Sequence, residues 1–363
     1  MNEILRAFGK AFDVPVMDNN SRIWFFRTDS GEWYDDFYLN GFIALGWNRV
    51  TSFLVKNNLF DKASRRFMVK LCYPEAKSHG HILGQLEAFY NKMKAGDMVI
   101  IPSEGSKYVS IGILGDTMNS IVRKNVDAGY EKCEHKHLRS VKWIKTIELW
   151  HDVYLFRAMR AQQTISDVTK YAGLVYRNLF PFYISDKNIH FTMQKISRSN
   201  YSLADNVNIL SGIMSITGNV ADIYGVEDFS NNITVKTAVG SPGVIEILFP
   251  HTLMSAIVVL IIMSVIGKEK NKDGSGSTGI LAIIDMVNKL INDRENRRKI
   301  KAETDLIIAQ KNKVEQELKR MQLDDEKKKA AVDLINELYN ECVNMKKTVT
   351  EAGIVCDESV DIE

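Results

Sequence analysis

RIWFFRTDSGEWYDDFYLNGFIALGW, residues 22–47, is the stretch on which the reading of the first half of the chain turns. Two short apolar and aromatic runs, Arg22–Thr28 and Phe42–Trp47, read as strands. Between them lies a charged segment punctuated by Gly31 and Gly41, the pattern of strand, excursion, strand. Trp24, Trp33 and Trp47 fall inside the stretch, and the other two tryptophans, Trp143 and Trp150, follow within the first 150 residues.

Working outward, further strands are expected at Asp97–Ile101, Tyr108–Leu114 and Arg139–Ile147, separated by Gly96, Pro102, Gly105 and Gly115. One helix, Leu83 to Met93, interrupts them, with Leu83, Leu86, Tyr90 and Met93 at helical spacing. Several short strands with one or two helices predict a small closed or half-closed β-barrel over 20–147, preceded by a helical arm over 1–19. Ile4, Leu5, Phe8 and Phe12 give that arm its apolar side.

The pattern then changes. From Trp150 to Phe180 the period is helical, with Thr164 and Ser166 as caps and Val168, Tyr171, Val175 and Leu179 as a stripe. A strand over Ile189–Ile196, a helix over Leu203–Tyr224 and a hairpin of Ile233–Val239 with Val244–Phe249 complete an α+β domain over 148–267. Gly240-Ser241-Pro242-Gly243 suits a type II turn, because proline fixes φ and the following glycine supplies a positive φ. Residues 268–278 (KEKNKDGSGST) read as a linker, 279–350 as long charged helices with a weak coiled-coil seam, and 351–363 as a disordered acidic tail. The fold class expected for the whole is α+β.

Composition narrows function. The 363 residues suit two or three domains, and a net charge of +2 excludes nucleic-acid binding by bulk charge, leaving only a local patch. Cys72, Cys133, Cys342 and Cys356 are scattered, as reduced thiols of a cytoplasmic protein would be, and the N-terminus has no apolar signal core.

Landmarks of the first domain recur in a definite order. They are Trp24-x-x-Arg27, Gly31 with Tyr34, Gly46-Trp47, Gly96-Asp97 before Val99-Ile100-Ile101-Pro102, Gly112 and Gly115, and His137-x-Arg139-x-Val141-x-Trp143. From about Arg22 to Lys145 this set resembles the PUA-like domains related to EVE modules, found at the N-termini of Mrr-like, modification-dependent restriction enzymes. The resemblance implies a curved barrel that accepts an extruded, often modified, base of DNA or RNA in an aromatic pocket, in a prokaryotic antiviral defence setting.

Such a pocket needs π-faces to replace stacking, donors and acceptors for the base edge, and cations for flanking phosphates. Trp24, Arg27, Trp33, Tyr34, Tyr38, Trp47, His137, Arg139 and Lys142 are the candidates for these tasks. About half of the domain's aromatics belong to its core on this reading, with Trp33, Tyr34 and Tyr38 facing ligand from a loop. Lys136, Arg139, Lys142 and Lys145 form a basic run in which Arg139, Val141 and Trp143 share one strand face.

No cofactor or metal is expected. Cys133-x-His135-x-His137 and His79-x-His81 match no common zinc spacing. Glu75-Ala76-Lys77 is the one nuclease-like element of the barrel half, and it sits in a loop. No phosphate-binding loop or nucleophile elbow occurs, so a non-catalytic recognition protein is expected rather than an enzyme.

Leu253–Ile266 (LMSAIVVLIIMSVI) spans only ~21 Å as a helix, short of a ~30 Å hydrocarbon core, and reads as a core helix. A membrane-acting effector with 244–266 inserted is the alternative, and a scaffold or homo-oligomer joined through 279–350 is a third reading.

Overall fold

The computed structural model describes residues 3–17, 21–56, 60–123, 129–149, 152–160, 162–195, 202–223, 229–238 and 243–266, with Asn340, Asn344, Ile354 and Val355. The chain is a mixed α+β protein whose N-terminal region carries a curled half-barrel sheet. It divides into two compact units, one of Asn19–Leu179 with Val360–Glu363 and one of Met1–Asp18 with Phe180–Ser359. The expected linker, the charged helices over 279–350 and the tail lie outside the described residues, apart from the isolated positions just named.

In the first unit the strands are β1 (Ile23–Phe26), β2 (Phe42–Leu45), β3 (Met98–Pro102), β4 (Tyr108–Met118), β5 (His137–Glu148) and β6 (Ile165–Asp167). They form one sheet in the order β2-β5-β4-β3-β1-β6, antiparallel except for the parallel pair β1–β3. The five expected strands are present. β6 replaces the expected helix start at Thr164 and Ser166. Ile165 pairs with Phe26, the Ile165 N–H donates to Gln85 Oε1, and Arg27 N donates to Thr164 O, so a non-local edge outcompetes the local helical pattern. That pairing carries the unit boundary from the expected 147 to Leu179.

Helices cover the sheet more fully than expected. Besides α5 (His79–Glu87), which runs into a π-turn at Ala88–Lys92, the unit holds α2 (Tyr34–Asn40), α3 (Ser52–Lys56) and α4 (Lys62–Cys72). α2 occupies the stretch that the sequence predicts as a loop. Asp35 and Asp36 sit in its first turn, where the helix dipole favours anions, and Gly41 ends it at φ 68°, a left-handed cap suited to glycine. Leu54, Val55, Val69, Leu83, Leu86 and Phe89 pack under the sheet residues Phe26, Ile43, Leu45, Val99 and Ile101. Toward the end of the unit, α6 (Phe156–Met159) and α7 (Ala172–Leu179) are tied by buried Asp152, which accepts from Arg177 Nε and Nη2 at 2.7 and 2.6 Å and from Asn178 Nδ2 at 2.7 Å.

The second unit is built on β7 (Phe182–Ile184), β8 (Asn188–Lys195), β9 (Thr234–Ala238), β10 (Gly243–Pro250) and the two-residue β11 (Ile354–Val355). β10 lies between β8 and β9, and the expected hairpin is antiparallel with Val244 opposite Ala238, although its turn lies outside the described residues. Three helices bury one face of this sheet: α1 (Glu3–Ala11), α8 (Leu203–Ile223) and α9 (Leu253–Ile266). α9 is a core helix, with Ser255–Val259, Ile261 and Ile262 all buried. Its would-be extension back to Val244 is a paired strand. Among the described residues no helix is long and apolar enough to cross a membrane.

Candidate functional site

Three of the sequence-expected residues, Arg27, Trp33 and Trp47, meet around a cavity of about 390 Å³ that Asp29, Ser30 and His135 complete. The chain reaches it from three directions. After β1 it turns at Thr28, whose buried hydroxyl donates to Pro102 O at 2.6 Å, and Gly31 N and Trp33 N both return to Thr28 O. Within that turn Asp29 (φ 50°), Ser30 (φ 59°) and Gly31 (φ 103°) are left-handed. Gly31 is obligatory, because a Cβ there would stand 2.2 Å from the Glu104 backbone.

After β2 the chain passes Gly46 and Trp47, the latter also left-handed at φ 62°. Trp47 is held there by Val50 N and by His137 Nε2, both donating to its carbonyl, at 3.0 and 3.2 Å. The third wall is His135, whose Nδ1 donates to Ala44 O at 3.3 Å and whose ring meets the edge of Trp33 at 5.8 Å. Gly46 leaves room for it, since a Cβ would lie 3.2 Å from His135 Nε2.

Asp29, Ser30 and Trp47 are thus three non-glycine residues at positive φ that line one cavity. Each such conformation costs about 1–3 kcal/mol and persists only where the surroundings impose it. The cavity combines two indoles with a guanidinium, a carboxylate, a hydroxyl and an imidazole. Arg27 is steadied at its rim by donating to Gln162 O at 3.2 Å.

The other expected site residues sit elsewhere. Trp24 is buried and donates Nε1 to Asp97 Oδ2 at 2.8 Å, a core role. Tyr34 is buried with its hydroxyl 2.6 Å from Ser110 Oγ, and burial raises its pKa. Tyr38, one helical turn on, stacks on it at 5.8 Å and reaches the surface beside Trp143. Lys142 is exposed on β5.

Arg139 corrects the expectation of a phosphate clamp. Only 4% exposed, it donates to Phe89 O at 2.9 Å and Gly115 O at 3.2 Å, so its charge faces carbonyl dipoles inside the unit. Exposed cations lie instead on α4, where Lys62, Arg66 and Lys70 line a groove with Phe67 and His79.

His137 is a buttress. It is buried, its Nδ1 accepts from the Tyr90 hydroxyl at 2.6 Å, and its Nε2–H donates to Trp47 O, a pattern that the neutral ring satisfies fully. Burial pushes its pKa below the usual value, while burial pushes the Tyr90 phenol up to about 12. Because the folded His137 binds a proton less readily than the unfolded one, its contribution is complete above about pH 6.5 and declines as pH falls toward the lower folded value. Between pH 7.5 and 5.5 the wild-type urea midpoint should therefore fall further than that of His137→Gln. His251, lowered for the same reason, acts alike in both proteins. Equal falls would show that His137 binds a proton as readily in the fold as in the unfolded chain.

The Cys133-His135-His137 run does not converge. Cys133 is buried with its thiol pushed up to about 11, and both histidines spend ring nitrogens on carbonyls. Among the described residues no group of three or more His, Cys, Asp or Glu is placed to hold a metal ion. Glu75 pairs with Arg49 at 3.2 Å on the surface.

In the second unit Ser185 Oγ, His190 and Glu246 Oε1 stand in line at 3.0 and 2.9 Å. The order is that of a nucleophilic relay. Yet Ser185 Oγ also accepts from Asn188 N at 3.2 Å and lies 2.9 Å from Asn188 O, so the hydroxyl closes the β7–β8 turn.

A family model described as a domain of unknown function, DUF8426, matches residues 23–169, a span that takes in every strand of the six-stranded sheet and all three walls of the aromatic cavity. No curated protein and no solved structure matches the chain.

Proposed function

We propose that the Asn19–Leu179 unit is a PUA-like recognition module that takes a single extruded or unstacked nucleobase of DNA or RNA into the cavity between Trp33 and Trp47. The observation that carries this reading is the cavity itself: two indoles, one of them on a left-handed backbone, face a small set of edge-reading groups. A base leaving its stack loses π contacts that Trp33 and Trp47 replace, while Asp29, Ser30, His135 Nε2 and Arg27 offer an acceptor, a hydroxyl, an imidazole nitrogen and a fixed donor to its edge. A volume of about 390 Å³ suits a base with its sugar better than a large ligand. The module binds rather than reacts. The resemblance to modification-dependent restriction proteins supports a defence setting and a modified base as the preferred ligand.

Base–aromatic stacking is worth about 1–3 kcal/mol per base, so Trp33→Ala and Trp47→Ala should each weaken the full-length protein's binding to short single-stranded oligonucleotides by roughly tenfold or more. Tyr38→Ala, outside the cavity, should change it little. Fluorescence titration with modified and unmodified oligonucleotides measures this. Binding that survives both tryptophan substitutions, in variants with wild-type circular dichroism, would sink the reading.

A further inference from the structure

A second cavity, of about 230 Å³, is bounded by chain segments continuous with those of the aromatic one and has a different chemistry. Its lining includes Lys56, Lys136, Thr51, Ser52, Thr117 and Asn119, and no carboxylate. The two cavities share walls at two places in the chain. Trp47 lines the first and Asn48 the second, and His135 lines the first and Lys136 the second. Asn48 laces these segments together, accepting from Lys136 N at 2.9 Å and donating to Glu134 O at 3.1 Å. His137, which lines the second cavity, holds the carbonyl of Trp47 in the first.

We infer that this second cavity is a phosphate site, and that it receives the phosphate of the nucleotide whose base occupies the Trp33–Trp47 cavity. The inference rests on the base-pocket reading above for its second half alone.

The charge carries it. Lys56 Nζ donates to Thr117 Oγ1 at 3.0 Å and lies 5.1 Å from the Tyr90 ring centroid, so its ammonium is fixed by a neutral acceptor and a π-face. Neither Lys56 nor Lys136 forms an ion pair among the described residues. The wall residue His137 is neutral and adds no charge of its own. Two ammonium groups, three aliphatic hydroxyls and two amides without a carboxylate favour a small anion rich in acceptor oxygens. Lysine serves phosphate as a point charge, and hydroxyls and amides complete its oxygens. The volume holds about seven waters, enough for a phosphate that keeps part of its hydration.

The experiment uses the full chain, its Lys56→Gln/Lys136→Gln double variant and Trp33→Ala. Each is titrated with the common nucleosides, their 5′- and 3′-monophosphates, and inorganic phosphate alone. A monophosphate should bind the wild type about tenfold more tightly than its nucleoside, the advantage should shrink with added salt, and the double variant should lose it while keeping its nucleoside affinity. The 5′ and 3′ arms tell which phosphate is seated. Inorganic phosphate should raise the melting temperature of the wild type and of Trp33→Ala but not of the double variant. Nucleoside binding with no added affinity from either phosphate, or an advantage that persists in the double variant, overturns the inference and leaves the base pocket standing. Phosphate stabilisation without any nucleoside or oligonucleotide binding would uphold the anion site and overturn the base pocket.

Discussion

Val259→Asp is expected to abolish folding of the unit built from the N-terminal helix and residues 180–359. Val259 is fully buried near the middle of α9, in a cluster with Phe191, Ile213, Ile216, Ile247 and Phe249. A carboxylate placed there finds an apolar cluster with no cation in it. Ionised, it pays several kcal/mol of desolvation, and protonated it still buries an acid group against aliphatic carbon. A loss beyond about 4 kcal/mol consumes most of an ordinary domain's stability of 5–15 kcal/mol. Val259→Ala, which only opens a small space, should cost about 2 kcal/mol and keep the fold. Urea denaturation followed by circular dichroism separates the two, and an aspartate variant that unfolds at the wild-type midpoint would show that α9 is not packed as described.

The second large effect centres on Asp36. This carboxylate has no solvent exposure, and it accepts from Arg123 Nε and Nη2 at 2.9 and 2.8 Å, from Cys133 N at 2.8 Å and from Asn40 Nδ2 at 2.9 Å. Arg123 also donates to Cys133 O at 2.8 Å, so the two residues clasp both ends of the excursion between β4 and β5 onto α2. The hydrogen bonds to Asp36 raise the Arg123 pKa, so the guanidinium stays charged across the accessible pH range. Removing one partner of a buried pair typically costs 3–5 kcal/mol. Arg123 can turn to water when released, which places Asp36→Ala near about 3 kcal/mol. For a unit of this size that lowers the melting temperature by roughly 6–12 °C. Asp36→Asn, which keeps part of the hydrogen bonding, should fall between. Limited proteolysis should cut first within 119–135 in Asp36→Ala, and a melting temperature within 2 °C of wild type would refute the clasp.

Much of the architecture was legible because it is local. The Gly240-Ser241-Pro242-Gly243 turn signal between two strand-like runs locates the hairpin to within a residue or two, and glycine and proline punctuation locates five strands of the first sheet. β6 was not legible, since three residues, Ile165–Asp167, carry little pattern and are recruited by the open edge of β1. The alternation of Arg139, Lys142 and Val141 on β5 was read correctly, but which face lies inward depends on the curl of the sheet. The inward face turned out to hold the arginine, leaving Lys142 exposed.

The cavity divides in the same way. Arg27, Trp33 and Trp47 announce themselves by residue type. Asp29 and Ser30 enter it only through a left-handed turn that the Gly31–Glu104 contact imposes, and His135 enters through the space that Gly46 leaves. Spacing draws attention to His135 through the Cys133-x-His135-x-His137 run, not as a wall of this cavity. The signal that could have found it is a glycine directly before a tryptophan at a strand end.

The parallel pairing of β1 with β3 has a consequence for synthesis on the ribosome. Arg22 bonds to Asp97 across 75 residues, and the other edge of β1 waits for Ile165. At 5–20 residues per second, the nascent Ile23-Trp24-Phe25-Phe26 segment spends about 4–15 s outside the tunnel before its first strand partner is made. α1 waits longer, because the strands and helices that bury Leu5 and Phe8 begin only after Phe180. In each unit an apolar segment made early therefore stays uncovered until partners made much later in the chain reach it.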